Sequence, residues 1–321
     1  MNPLIPPNKK DPAGQLGNVK DGFAQLNKRY KKIKKQIFDY IELQNKQAIR
    51  IETNALTINA VTYDYQVDAK KIRDINTYIL AVLNENLLDN IAGNYSDFWW
   101  LNFNLETAYD DGLSDTLQSA KNVSVESAVG YETFNQVQML SVENTKISPQ
   151  YQARIGMVYA RVFELMKGLT DSSKSDLSDT LARGMIAGKG VNQLKSEVGA
   201  RIDVSQSRAK RIVRTEILNA YRTSTNEETK GINESIYKDS EWHMMPLWWS
   251  ALSATTRHNH AVRHGHTYTE KQVQDFYDTG ANAINCLCSQ SVVLVNKKTG
   301  EPFQQNLIDK MAKQRESYLE G

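Results

Sequence analysis

Cysteine is nearly missing from this sequence: of 321 residues only Cys286 and Cys288 are cysteines. Thiols two positions apart rarely close a structural disulfide, so a disulfide scaffold is excluded, and a reducing compartment or a metal site fits better. Long apolar runs are missing too. No uninterrupted stretch approaches the roughly 20 residues that a bilayer-spanning helix needs, so no membrane insertion is expected of the folded chain. The opening MNPLIPPNKKDPAG has no apolar core of the signal-peptide kind, which points to a soluble protein made in a cytoplasm. No G-x-S-x-G, P-loop, H-E-x-x-H or paired-carboxylate pattern is present, so the common hydrolase and nucleotide-binding chemistries lack their signatures. Gly188-Lys189-Gly190 is too short for a phosphate loop and reads as a turn between helices. No internal repeat is evident.

What is present is a chain with 40% apolar and 24% charged residues, enough for a sizeable core in two domains or one elongated one. The net charge of +2 hides a polarity. Residues 1–50 hold 11 Lys/Arg against 4 Asp/Glu, whereas residues 85–143 hold 10 Asp/Glu against one Lys. Either these are solvated helix faces or one end meets an acidic partner, DNA among the candidates.

Residues 1–20, rich in Pro, Gly, Asn and Lys, read as a flexible arm. Phe23, Leu26, Tyr30, Ile33, Ile37 and Tyr40 then follow the 3-4 spacing of a long helix with coiled-coil character. That seam turns polar at Gln44 and Gln47 and resumes at Ile51. Ile75, Ile79, Val82, Leu83, Leu87 and Ile91 give a second helix ending before Gly93, and the two suggest an antiparallel stalk or bundle. Tyr95, Phe98, Trp99, Trp100, Phe103 and Tyr109 form an aromatic cluster on an acidic background, either core or a partner-binding patch. Ser148-Pro149 predicts a helix start and Gly168 its stop. Short helices are expected around 177–185 and 191–202, and Asp203 or Ser205 would cap a longer one ending by Gly231. Beyond it, Trp248–Leu252 and residues 290–295 read as strands, Thr256–His264 as a short helix and Leu307–Tyr318 as a final amphipathic helix. The expected fold is mainly α, a long helical N-terminal half with a small α+β C-terminal domain.

Chemistry concentrates near the C-terminus. All five histidines lie between 243 and 266, and both cysteines follow about 20 positions later. His260 and His264, four apart, would share a helical face, while Cys286 and Cys288 would point to one side of an extended segment. Zinc takes four N/S donors, so His260, Cys286 and Cys288 with His264 as fourth ligand form a candidate zinc site, although C-x-C is tighter than the usual C-x2-4-C spacing. The alternative is a pair of reduced, half-buried thiols beside polar histidines. Arg208, Lys210, Arg211, Arg214 and Arg222 on the 205–230 helix could track phosphates or form salt bridges with Glu216, Glu227 and Glu228. Lys28, Arg29, Lys31, Lys32, Lys34 and Lys35, with no acid interleaved, are the better candidates for contact with double-stranded DNA.

Arg214-Thr215-Glu216, then Thr256-Arg257-x-x-His260-x-x-x-x-Gly265, then Asn285-Cys286-Leu287-Cys288 resemble, in order and spacing, the RTE, TRxxHxxxxG and NCRC elements of the phage Mu F-like head-morphogenesis, or minor head protein, family. The resemblance covers about a third of the chain. It singles out Arg214, Glu216, Arg257, His260, Gly265, Asn285, Cys286 and Cys288. Leu287 stands where the family commonly has Arg, and no Asp precedes Thr256-Arg257, departures that bear more on a catalytic site than on the fold. Asn285 would close a turn and Gly265 would serve as a helix C-cap. The resemblance implies a virion protein of a tailed bacteriophage, held inside the capsid near the portal vertex, with the portal protein and the major capsid or scaffold protein as partners. There it would aid head assembly, DNA packaging or DNA ejection.

The expected organisation is therefore an arm at 1–20, a helical stalk with an acidic aromatic segment at 21–147, the family module at 148–295 and a C-terminal helix at 296–321. Enzyme activity is not expected. The rivals are a zinc-dependent nuclease-like or transferase enzyme built on His260, Cys286 and Cys288, and a general DNA-binding protein. The 26 residues after 295 are too short for a separate toxin domain.

Overall fold

A computed structural model describes residues 2–55, 58–90 and 99–321, and it is 66% helical. The elements run α1 (Leu16–Gln47), β1 (Ile49–Ala55), β2 (Ile58–Asp64), α2 (Ala69–Leu87) and α3 (Asn102–Val123). Three short helices follow, α4 (Glu126–Val129), α5 (Tyr131–Gln138) and α6 (Val142–Lys146), then the long α7 (Pro149–Ile186) and α8 (Val191–Ser235). The chain closes with β3 (Trp242–Trp249), α9 (His258–Ala261), α10 (Glu270–Asp278), β4 (Ser289–Asn296) and α11 (Gln305–Glu320). Mainly α with a little β is thus the fold class. The described chain divides into two compact units, one formed by 1–20, 103–158 and 214–321 and the other by 21–102 and 159–213.

Among its described residues, the regular structure of the unit holding 21–102 and 159–213 is helix apart from one hairpin. The predicted seam of α1 is its core: Leu26, Tyr30, Ile33 and Ile37 are buried, with Ile41 continuing the row while Tyr40 is only half-buried. The seam does not resume at Ile51. β1 and β2 pair antiparallel there, Arg50 opposite Tyr63 and Ile51 opposite Thr62, and both Ile49 and Ile51 are exposed. Two-residue alternation in Ile-Arg-Ile-Glu suits a strand, not a helix. α2 starts on the Asp68 cap and ends at Leu87 rather than before Gly93, and Ile91 lies outside the described residues. Trp99 and Trp100 are buried, and both indole N–H groups donate to the Leu87 carbonyl at 3.0 Å; Trp99 also meets Phe163 edge-on at 5.3 Å. These two are core, while Tyr95 and Phe98 lie outside the described residues.

Two expected helix breaks do not occur. α7 runs straight through Gly168, beside which a Cβ would meet nothing. α8 runs through 203–205, because Ser205 spends its hydroxyl sideways on Tyr30 and Ser173, at 2.7 Å each, instead of capping. A glycine costs a helix only about 1 kcal/mol relative to alanine, less than a continuous apolar face gains by packing.

The other unit places the candidate site. Residues 1–20, expected as a flexible arm, carry ordered contacts in it: Leu4 N–H donates to Ser119 Oγ at 3.1 Å, Asp11 caps the Gln15 and Leu16 amides, and α1 already begins at Leu16. Of the remaining aromatics in the cluster, Tyr109 is buried against Tyr151 and Phe103 is exposed. β3 and β4 form a two-stranded antiparallel sheet, Trp248 opposite Gln290 and Met244 opposite Leu294. Strand alternation sends Leu247, Trp249, Val293 and Val295 to one face, packed with Leu307 and Met311 of α11. Trp248 turns to the other face and packs with Val273 and Phe276 of α10 and with Cys286 and Cys288. α10 itself opens on a capping box between Thr269 and Gln272, legible as Thr-x-x-Gln but not used in the sequence reading.

Candidate metal centre

Three of the residues picked out by pattern meet at one point. His260, Cys286 and Cys288 are all buried, and their ligand atoms lie within 4.8 Å of one another. His260 turns Nδ1 to both sulfurs, 3.3 Å from Cys286 Sγ and 3.6 Å from Cys288 Sγ. Its ring is positioned by an edge contact with Phe276 at 4.9 Å and by Ser250, whose hydroxyl donates to the His260 carbonyl at 2.5 Å. The Cys288 N–H donates to Cys286 Sγ at 3.3 Å, closing the C-x-C segment on itself.

The segment is braced from α8. Arg222 is buried and donates from Nε to the Cys288 carbonyl at 2.9 Å and from a terminal nitrogen to the Cys286 carbonyl. Its guanidinium lies 4.5 Å over the Tyr277 ring. From sequence Arg222 is expected to contact phosphate or form an ion pair; in the fold it braces backbone. Its place two turns beyond Thr215, hence on the same face of α8, was the available signal. Thr215 Oγ1 accepts the Asn285 N–H at 3.3 Å, and Asn285 itself adopts the left-handed φ of 54°, as a turn-closing Asn does. Arg257 donates to the carbonyls of Ala281 (2.6 Å), Asn282 (2.8 Å) and Ile284 (3.2 Å), clamping the loop that leads into the cysteines.

The two thiols are electrostatically unequal. Cys286 is held well below the ordinary thiol range, chiefly by the hydrogen bond from Cys288, with Arg222 and His260 adding to the effect against the opposing cost of burial. Cys288 is pushed well up by the same hydrogen bond and by burial. Cys286 is thus the more acidic thiol of the pair.

His264 is not brought to this group. Its Nδ1 accepts the Ser250 N–H at 3.1 Å and its Nε2 meets Gln314 Oε1 at 3.2 Å. A shared i, i+4 face needs a helix through 264, whereas α9 stops at Ala261 and the chain turns away. Gly265 is accordingly no helix C-cap. It sits at φ 78° where a Cβ would come within 2.7 Å of Met311 Cβ, and its N–H donates to the Trp248 carbonyl at 2.9 Å, so the role of this glycine is close approach to α11.

A small cleft of about 60 Å³ opens beside the cluster, lined by Arg214, Thr256, Arg257, His260, Asn285 and Cys286 among others. Arg214 Nε is buried there with no hydrogen-bond partner among the described residues. Glu216 is buried. Of the other basic groups on this helix, Arg208 reaches Asp176 at 3.9 Å, while Glu227 and Glu228 pair instead with Arg154 of α7. Among the lysine-rich residues of α1, Arg29 pairs with Asp89, Lys34 with Asp203 and Lys35 with Asp39. Lys28, Lys31 and Lys32 are exposed with no ion pair among the described residues. No helix among the described residues is long and apolar enough to cross a membrane.

A long helix that braces a C-x-C segment against a two-stranded sheet, with an Arg, a Thr-Arg pair and a His around one cleft, defines a module in which Arg222 and Arg257 hold the backbone of the cysteine segment and of the loop before it. Residues 175–291, a little over a third of the chain, match the model of the family described as Phage Mu protein F like protein. Those residues include every signature residue from Arg214 to Cys288. No curated protein and no solved structure matches the chain.

Proposed function

We propose that this chain is a minor head protein of a tailed bacteriophage, carried in the virion inside the capsid near the portal vertex, where it aids head assembly and the packaging and delivery of DNA. The observation that carries the reading is convergence. Three short elements far apart in sequence, 214–216, 256–265 and 285–288, gather at one module within the segment matching the Mu F-like family. The same geometry favours a structural role over an enzyme. Arg222 and Arg257 spend their donors on backbone carbonyls of the fold, and Leu287 puts an apolar side chain where relatives carry a guanidinium. The partners of such a module are the portal protein and the major capsid or scaffold protein.

Quantitative mass spectrometry of purified proheads and virions tests the assignment. A few copies per particle are expected, and deletion of the gene should leave heads that assemble or fill poorly. A protein absent from both particles, or a deletion with undiminished titre, overturns it.

DNA contact is assigned to the exposed side of α1. With Arg29, Lys34 and Lys35 engaged in ion pairs, the residues left for phosphates are Lys28, Lys31 and Lys32. Changing all three to Gln should lower the slope of log affinity against log salt by about 3, one released counterion per lost contact. An unchanged slope removes α1 from the DNA interface.

A further inference from the structure

Beyond its place in a virion, the module has the makings of a metal centre. Two sulfurs converge on a single imidazole nitrogen, His260 Nδ1, at 3.3 and 3.6 Å. Two sulfurs facing one imidazole nitrogen is the arrangement that two thiolates and an imidazole take around a shared cation. A tetrahedral zinc ion explains both distances. With Zn–S about 2.3 Å and Zn–N about 2.0 Å, neighbouring donors stand about 3.5–3.8 Å apart. The two nitrogen–sulfur spacings need only a few tenths of an ångström of adjustment.

The surroundings fit the same ion. The set is buried and walled by Trp248, Val273 and Phe276, so an ion there would be shielded from competing water on that side. Charge closes as well: two thiolates, a neutral imidazole and a divalent cation sum to zero, whereas two ionised thiols without the cation would leave two buried negative charges facing the single buried guanidinium of Arg222. Thiolate and imidazole together select zinc-class ions over magnesium or calcium, which prefer oxygen. Arg222 and Ser250 supply the outer support, holding the backbone of both cysteines and of His260 while making no claim on a ligand lone pair of the imidazole.

We infer that His260 Nδ1, Cys286 Sγ and Cys288 Sγ bind one zinc-class divalent ion. Among the described residues no fourth His, Cys, Asp or Glu joins the group, and water from the adjoining cleft completes the coordination. On binding, each thiol gives up its proton to solvent as its S–Zn bond forms, and no redox change is involved. The ion ties α9 to the segment just before β4, where Cys286 and Cys288 lie 26 and 28 residues beyond His260.

Purified full-length protein, prepared under reducing conditions and given zinc sulfate, is the test material. Elemental analysis after gel filtration should return one zinc per chain, and cobalt substitution should produce the intense sulfur-to-cobalt charge-transfer absorption that a thiolate-ligated ion shows. Native thiol labelling of wild-type protein should be suppressed by zinc and restored by a chelator, a readout that needs no variant to fold. Cys286→Ser, Cys288→Ser and His260→Ala should each lose the stoichiometric ion, while His264→Ala keeps it. Folded protein that retains no zinc, thiols that label equally with and without it, or a chain two mass units lighter carrying a Cys286–Cys288 disulfide overturns the inference.

Discussion

The helical layer of α1 and α2 and the Cys/His module around β3 and β4 are held together by different means. The first buries a periodic row, Leu26, Tyr30, Ile33, Ile37 and Ile41 on α1 and Ile75, Ile79, Leu83 and Leu87 on α2. The second relies on polar side chains that bind backbone across long sequence separations: Arg222 to 286 and 288, Arg257 to 281–284, His264 to 250 and Gln304 to the Leu294 amide. Apolar packing is graded, since one lost methylene costs about 1 kcal/mol and the rest of the row persists. Polar bracing is closer to all-or-none, because removing one partner leaves the other buried and unsatisfied. The module should therefore be the more brittle of the two regions to single substitutions.

The largest expected effect is at Arg222. Arg222→Ala leaves two buried carbonyls without donors and a hole against Tyr277, and should cost about 4 kcal/mol. Arg222→Lys should recover less than half of that, because a single ammonium cannot span both carbonyls with the planar fork. Denaturant melts followed by fluorescence of the tryptophans, Trp248 and Trp249 among them, measure both. If lysine restores full stability, the fork is not what braces the cysteines and the contrast with the apolar layer weakens.

This difference also decided what could be read in advance. The middle of the α1 core, Leu26, Tyr30, Ile33 and Ile37, was legible because helical spacing is a local property, while Phe23 and Tyr40 at its ends are only half-buried. The Cys286, Cys288 and His260 grouping was legible from concentration and order. What stayed hidden is tertiary. Ser205 looks like a cap until Tyr30 and Ser173 claim its hydroxyl, and His264 looks like a ligand until α9 ends at Ala261. Arg222 looks like a surface cation until the cysteine carbonyls face it. Strand alternation in Ile49-Arg50-Ile51-Glu52 and the Thr269-x-x-Gln272 box were local signals, and both could have been taken from sequence.

A second, somewhat smaller effect should appear with acid. Burial pulls His264 down to about 4, Arg315 and Lys9 pull the same way, and the Gln314 contact opposes them. The unfolded chain takes up this proton near its ordinary value of 6.5 while the folded chain refuses it until about 4. Stability contributed by neutral His264 is thus complete above 6.5 and is lost as pH falls from 6.5 to about 4, by up to about 3 kcal/mol. His264→Gln, which keeps an acceptor for the Ser250 amide but cannot titrate, should flatten that slope. Melting midpoints measured at half-unit steps of pH decide it, and equal slopes in both proteins would place the acid sensitivity elsewhere.

The smallest effect gives the sharpest comparison, because the same substitution should change sign between the two regions. Gly265→Ala, in the module, puts a methyl 2.7 Å from Met311 Cβ on a residue at φ 78°, and should destabilise by about 2 kcal/mol. Gly168→Ala, inside α7, meets no atom within 4 Å and has helical backbone, so it should stabilise by about 0.5–1 kcal/mol through lower backbone entropy in the unfolded chain. Both are single methyl additions read by one thermal melt. Opposite shifts would mean that glycine in the module is fixed by the close approach of α11 whereas glycine in α7 is merely tolerated by a helix that its flanking residues hold together. Two shifts of one sign would show that the close approach at Gly265 relaxes more cheaply than the Met311 contact implies, and that the module is less brittle than its polar bracing suggests.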